Sequence, residues 1–356
     1  MEELDSIKPA YILARGVYSA KKERVERGTP GAILGFSDEL PQNRLGLAKW
    51  LFDQRNPLTS RVIVNRYWQM LFGKGLVTTP EDFGNQGAIP SHPELLDWIS
   101  LEFMNNGWDI KNLLKMMVMS STYRQSSKYN EKNYKLDSEN IYLSRGPYKK
   151  LTAEMMRDQA LASSGLLNRK IGGKWVKPYQ PPGIWKELAN QIGENKYRQS
   201  KGNDLYRRSV YTYWKRTIPV PSMLTFDAAE RAMCTVKRQS TSTPLQSLVL
   251  LNDPQYIEAS RKLAENLIKN KDDDPSLWIE GAFKRLVTRN PSSDETALLM
   301  EIYKSELQRF EKDEDSRLDL INIGESASSK SIDKKKLAAL IVVVSAVLNL
   351  DEAKHS

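Results

Sequence analysis

The stretch RLGLAKWLFDQRNPLTSRVIVNRYWQMLFG, residues 44–73, decides the fold class. Leu45, Leu47, Ala48, Leu51 and Phe52 form an apolar stripe at helical spacing, and Asn56-Pro57 ends it. A second helix runs on from Thr59 through Val62, Ile63, Val64, Tyr67, Trp68, Leu71 and Phe72 and stops at Gly73. The same period returns along most of the chain. The expectation is therefore a mainly α, multi-helix globular domain with long ordered loops and at most a small β element.

Working outward, residues 1–43 lack periodicity and carry Gly28, Pro30, Gly31, Gly35 and Pro41, so they read as an extended N-terminal arm. Such a start fits a piece that continues from an upstream region. Residues 44–128 form a first helical lobe. In it Ser91 and Glu94 are spaced as a capping box around Pro93, and Asp109 starts the next helix with Ile110, Leu113, Leu114, Met117 and Val118 facing inward. Residues 129–311 form a second helical lobe. Asn130 to Asn140 is a polar connector, Thr152 caps a helix, and Ser209 to Trp214 reads as a short strand. Thr243-Pro244 and Asp253-Pro254 each place a capping side chain before a proline at the first helical position. Residues 312–333 are charged and Ser-rich and read as a mobile linker. Residues 334–356 read as a C-terminal helix packing back on the core.

The net charge of +9 admits nucleic acid, an anionic membrane face or an anionic polymer as a partner, and a solvated basic surface is the favoured account of it. No RRM, zinc-finger or helix-turn-helix signature is present, which disfavours nucleic acid. His92 and His355 are the only histidines and Cys234 the only cysteine, too few for a structural zinc site, and no metal is expected. Cys234 reads as a small buried hydrophobe. No secretory signal opens the chain, and the longest apolar run, 337–350, falls short of the roughly 20 residues a bilayer requires, so no transmembrane segment is expected.

Three groups of residues carry possible chemistry. Arg61, Asn65 and Arg66 sit at helical spacing and, with Asp82, suit a structural polar network joining helix and loop. Arg207, Arg208, Tyr211, Tyr213, Trp214, Lys215 and Arg216, with Arg238 beyond them, form the best candidate binding surface: aromatic faces stack on rings while cations hold anionic groups. The alternative for these residues is internal packing, with the cations paired to Asp227 and Glu230. Glu154 and Asp158 at i, i+4, together with Asp227 and His92, are the catalytic candidates, because paired carboxylates divide acid and base roles when their surroundings differ.

Two blocks are long enough to be specific. The first is residues 44–87 followed by SHPELLDW (91–98) and STYRQSS (121–127). The second is YRRSVYTYWKRTIPVPSMLTFD (206–227) followed by TSTPLQSLVLLNDPQY (241–256), with LNLDE at 348–352. Together they closely resemble planctomycete-specific domain one, also called domain-of-unknown-function fifteen-fifty-three, from about Tyr11 to Glu352. The resemblance implies the C-terminal part of a larger bacterial protein of the cell envelope or periplasm, often with a cytochrome-c-like segment upstream. Haem would belong to that upstream segment, because this chain has no C-x-x-C-H, so no cofactor is expected here. The implied partner is the upstream domain of the same polypeptide or a partner protein. The expected function is a non-catalytic scaffold or binding module for a partner domain or an anionic polysaccharide. The alternative is a carboxylate-based hydrolase acting on polysaccharide, and the residues leave open whether the chain is an enzyme.

Overall fold

A computed structural model of the protein describes residues 8–185, 197–270 and 273–355; the first seven residues of the expected arm lie outside them. The chain divides into two compact units, 1–147 and 148–356. The boundary expected at 128/129 falls inside the first unit because the following residues fold back on it: Gln125 Nε2 donates to the Leu143 carbonyl at 3.0 Å, and Lys74 pairs with Glu139.

In the first unit β1 (Ala10–Leu13) and β2 (Lys21–Val25) form an antiparallel hairpin, the one sheet among the described residues. Helices α1 (Arg44–Leu51), α2 (Pro57–Phe72), α3 (Pro93–Asn105), α4 (Ile110–Met119) and α5 (Glu131–Leu136) follow. Asn56 ends the turn after α1 and starts α2, its side chain accepting from the Leu58 and Thr59 amides with Pro57 at the first helical position. Val64, Trp68 and Phe72 of α2 meet Leu96, Ile99 and Phe103 of α3 and Leu113 and Met117 of α4 in one core. The capping box at the start of α3 does not form. His92 occupies the cap position without a side-chain cap bond, and its Nδ1 instead shares a hydrogen bond with the Ser91 hydroxyl.

The second unit holds α6 (Ala153–Ser164), α7 (Pro221–Thr225), α8 (Pro244–Asn252), α9 (Pro254–Asn270), α10 (Pro275–Leu286), α11 (Ser293–Lys312), α12 (Glu314–Ile321) and α13 (Lys334–Leu348). The molecule is thus mainly α with a small β element. Helix α13 is apolar almost all round, as a fully surrounded helix must be. It packs against α8, α9, α10, α11 and α12. No described helix is long and apolar enough to cross a membrane.

Three expectations are corrected here. Residues 312–333 are not a mobile linker: α12 lies among them, Ile321 is buried, and Arg317 donates to the Phe310 carbonyl. Ser209–Tyr211 is a single 3-10 turn rather than part of a strand, because the Tyr211 and Thr212 amides bond back to the Arg208 and Ser209 carbonyls and, within 209–214, only Thr212 makes a bridge, to Val176. Cys234 is exposed, since the loop that carries it lies on the surface.

One ion-pair cluster sets a pH dependence. Arg289 grips both carboxylate oxygens of Glu295 at 2.6 and 2.7 Å and reaches Glu352, while Ser292 and Glu295 close a capping box at the start of α11. The Arg289 hydrogen bonds, and then the Ser292 amide, hold the Glu295 carboxyl at about 2. A depressed carboxyl stabilises the fold above its unfolded pKa of 4.5 and loses that contribution as pH falls toward 2. Glu295→Gln is therefore expected to be less stable than wild type at pH 7, with the difference shrinking below pH 4.5 in urea melts across pH.

Candidate functional site

The second signature block begins by wrapping residues 205–209 around one buried cation. Arg157, on the inward face of α6 and 2% exposed, donates to the carbonyls of Leu205 (2.8 Å) and Arg207 (2.6 Å), to Ser209 Oγ and to Gln255 Oε1. Burial pushes its pKa down, and neighbouring groups including Asp158 oppose the shift. Next to it Asp158 accepts from both the amide and the hydroxyl of Ser209, at 2.8 and 2.7 Å.

Arg207 also turns inward, donating to the carbonyls of Lys170, Gly172 and Lys174 with its guanidinium 3.8 Å from the centre of the Tyr211 ring. The Tyr211 hydroxyl in turn accepts from the Gly172 amide. These two expected binding residues clip the 170–174 loop in place. Arg238 is likewise occupied, paired through both nitrogens with Glu154 at 2.7 and 3.1 Å. Trp214 donates to the Glu230 carbonyl and lies under Arg231. Arg208 and Arg216 are exposed.

The remaining residues converge with four that the sequence did not single out. Val176 bridges Thr212, its amide donating to the Tyr211 carbonyl and its carbonyl accepting from the Tyr213 amide, both at 2.8 Å. Because side chains alternate along extended backbone, burying Val176 and Thr212 turns Trp175, Lys177 and Tyr213 together to the other side. The Lys177 ammonium, 4% exposed, lies 4.9 Å from the centre of Tyr213, 5.0 Å from Trp175, 5.7 Å from Tyr197 and 5.8 Å from Trp185. Lys215 lies 5.2 Å from the Trp185 ring. Each contact falls within the ~6 Å reach of a cation–π attraction. Trp175 nevertheless keeps 43% of its surface in solvent. Exposed Lys174, Arg198 and Arg216 neighbour the cluster along the chain, and among the described residues no carboxylate pairs with them. The legible signal was the interleaving of W-V-K at 175–177, which repeats the aromatic–cation rhythm of 213–215.

The catalytic candidates are occupied too. Burial works to raise the Glu154 carboxyl, but the Arg238 hydrogen bonds and charge, together with a backbone bond and Thr152, outweigh it and the net shift is downward. Asp227, at a left-handed φ of 59°, accepts from the amide and hydroxyl of Thr241, both at 2.8 Å. Thr241 O and Gln246 Oε1 accept in turn from Lys150. Glu154 and Asp227 therefore tie down the exposed 230–243 loop, and Asp158 the 205–209 turn. His92 belongs to the first unit and these three carboxylates to the second. None of the four lines the chain's 640 Å³ or 210 Å³ cavity, both built from first-unit residues. Among the described residues no three His, Cys, Asp or Glu side chains are grouped to hold a metal ion.

The expected first-block network does not assemble as one unit. Asn65, fully buried, pairs with both backbone groups of Val77 at 2.9 and 3.0 Å. Arg61 instead binds Asp97 at 2.6 Å, Asp82 accepts from the Gly84 amide at 2.7 Å, and Arg66 faces solvent. Arg61 and Asn65 lie one turn apart on α2, yet they reach different elements, Asp97 of α3 and Val77 of the loop after α2.

Residues 43–303 match the family PSD1, described as a protein of unknown function (DUF1553). No curated protein and no solved structure matches the chain.

Proposed function

The chain belongs to the PSD1 family of proteins of unknown function (DUF1553), and we propose that it is a non-catalytic binding module for an anionic polysaccharide, working beside a partner domain in the bacterial cell envelope. One observation carries the reading: the half-open Trp175 ring, backed by Lys177 and Tyr213 and neighboured by the cations of Lys174, Arg198, Lys215 and Arg216. An aromatic face takes the C–H face of a sugar ring, and each well-placed cation–π or charge contact adds about 0.5–1 kcal/mol at an exposed site. Lys177 keeps the rings in place, so little ordering cost falls on binding. The carboxylates that a polysaccharide hydrolase would use are committed to holding loops, which favours the module over the enzyme.

Isothermal titration of the full chain with alginate, chondroitin sulfate and neutral dextran tests the proposal. Saturable binding to at least one of the two anionic polymers and none to dextran is expected. Equal binding to all three, or to none, contradicts it.

A further inference from the structure

We infer that the first unit carries a separate pocket for a single neutral sugar residue, between the start of α2 and the half-exposed Asp97–Met104 side of α3. A cavity of about 210 Å³ opens there, lined among others by Asn56, Ser60, Arg61, Asp97, Ser100 and Leu101. At ~30 Å³ per water it holds about seven waters, enough for one pyranose ring and below the ~300 Å³ where drug-sized sites begin.

Its polar groups are built in and partly unused. Ser60 is 2% exposed, and among the described residues its hydroxyl has no protein partner. That hydroxyl opens onto the cavity, where a ligand or solvent group completes its bonding. Ser100 Oγ donates to the Leu96 carbonyl at 2.6 Å, which leaves its lone pairs toward other donors. Arg61 spends Nε on Asp97 and Nη1 on the Pro57 carbonyl, and Nη2 remains. Arg55 on the rim is neutralised by Asp53 at 2.8 Å, as Arg61 is by Asp97. The walls thus offer adjacent donors and acceptors with no net charge. A sugar hydroxyl needs that pairing because it donates and accepts at once, whereas a free oxyanion would meet the Asp97 carboxylate. Leu101 and Met104 supply an apolar side for the ring. The inference stands on this geometry alone and not on the polysaccharide reading.

Saturation-transfer NMR of the full chain with the methyl glycosides of glucose, galactose and fucose tests it. A saturable signal for at least one glycoside is expected, with a Kd on the order of 1 mM, undiminished by added sulfate. Ser60→Phe, which fills the cavity, is expected to abolish it without lowering Tm. Ser60→Ala, which removes one hydrogen bond, is expected to weaken it about 3–10-fold. No saturable signal, displacement by sulfate, or unchanged affinity in Ser60→Ala overturns the inference, whether or not Ser60→Phe folds. A signal lost in Trp175→Ala but kept in Ser60→Phe also overturns it, and places the sugar on the aromatic cluster instead.

Discussion

Arg157→Met is expected to destabilise the second unit by about 3–5 kcal/mol, the range for leaving buried polar partners uncompensated. The methionine fills the volume but donates nothing, so the carbonyls of Leu205 and Arg207 and the amide oxygen of Gln255 lose their donors. Arg157→Lys is not expected to rescue it. One ammonium at the end of a flexible stem cannot reach four acceptors arrayed around a planar fork. Arg238→Ala serves as the comparison, because its pair with Glu154 is partly solvent-exposed and such pairs contribute about 0–1 kcal/mol. Urea denaturation followed by tryptophan fluorescence measures all three. A loss below about 1 kcal/mol for Arg157→Met would show that the 205–209 turn is not organised by this side chain.

Glu258→Ala is expected to cost about as much, 3–5 kcal/mol, and to release residues 324–331 in particular. Glu258 and Glu265 are almost fully buried on α9 with Arg261 between them. Glu258 accepts from the hydroxyls of Tyr179 and Tyr206, each at 2.8 Å, and from the Ser326 amide at 2.6 Å, while Arg261 donates to the Ser326 carbonyl. Burial, and then the Glu258 carboxylate, push both tyrosine phenols well above their ordinary value, so they stay protonated donors. Gly324 belongs to the same device. Its φ of +98° suits glycine alone, and a Cβ there would fall on the Glu258 carboxyl group. Removing the carboxylate strands three donors and leaves Arg261 with Glu265 as its remaining buried charge partner. Hydrogen exchange should show faster exchange at the Ser326 and Ser329 amides in Glu258→Ala, with α13 keeping its protection. Unchanged exchange at both amides would contradict the latch.

What the sequence made legible and what it hid divide along local and non-local lines. Helices α2, α4, α6 and α9 were readable because a 3.6-residue stripe and a capping side chain are local signals. Asn56, Asp109 and Thr152 each cap the helix they precede. Residues 312–333 misled because their charge and serine content suit disorder, yet Glu258 and Glu265, more than fifty residues upstream, supply acceptors for their amides. Which way each side chain of 206–216 turns was equally hidden, since Arg157 and the 170–177 segment decide it from a distance in sequence. That is why Arg207 and Arg238, expected at a binding surface, serve the fold, while Trp175, Lys177, Trp185 and Tyr197 went unnoticed until the Val176–Thr212 bridge brought them to Tyr213.

The separation of fold from binding is testable in one titration series. Wild type and the Trp175→Ala, Lys174→Ala and Arg216→Ala variants are titrated with the anionic polysaccharide that wild type binds. Salt is set at about 0.1 M and then about 1 M, which shortens the screening length from ~10 Å to ~3 Å. Wild-type binding should weaken sharply at the higher salt. Trp175→Ala should lose about tenfold in affinity, equivalent to 1.4 kcal/mol, and each cation variant a few-fold, all with unchanged urea midpoints. Wild-type binding that ignores salt, or full affinity in Trp175→Ala, would contradict the assignment of this surface.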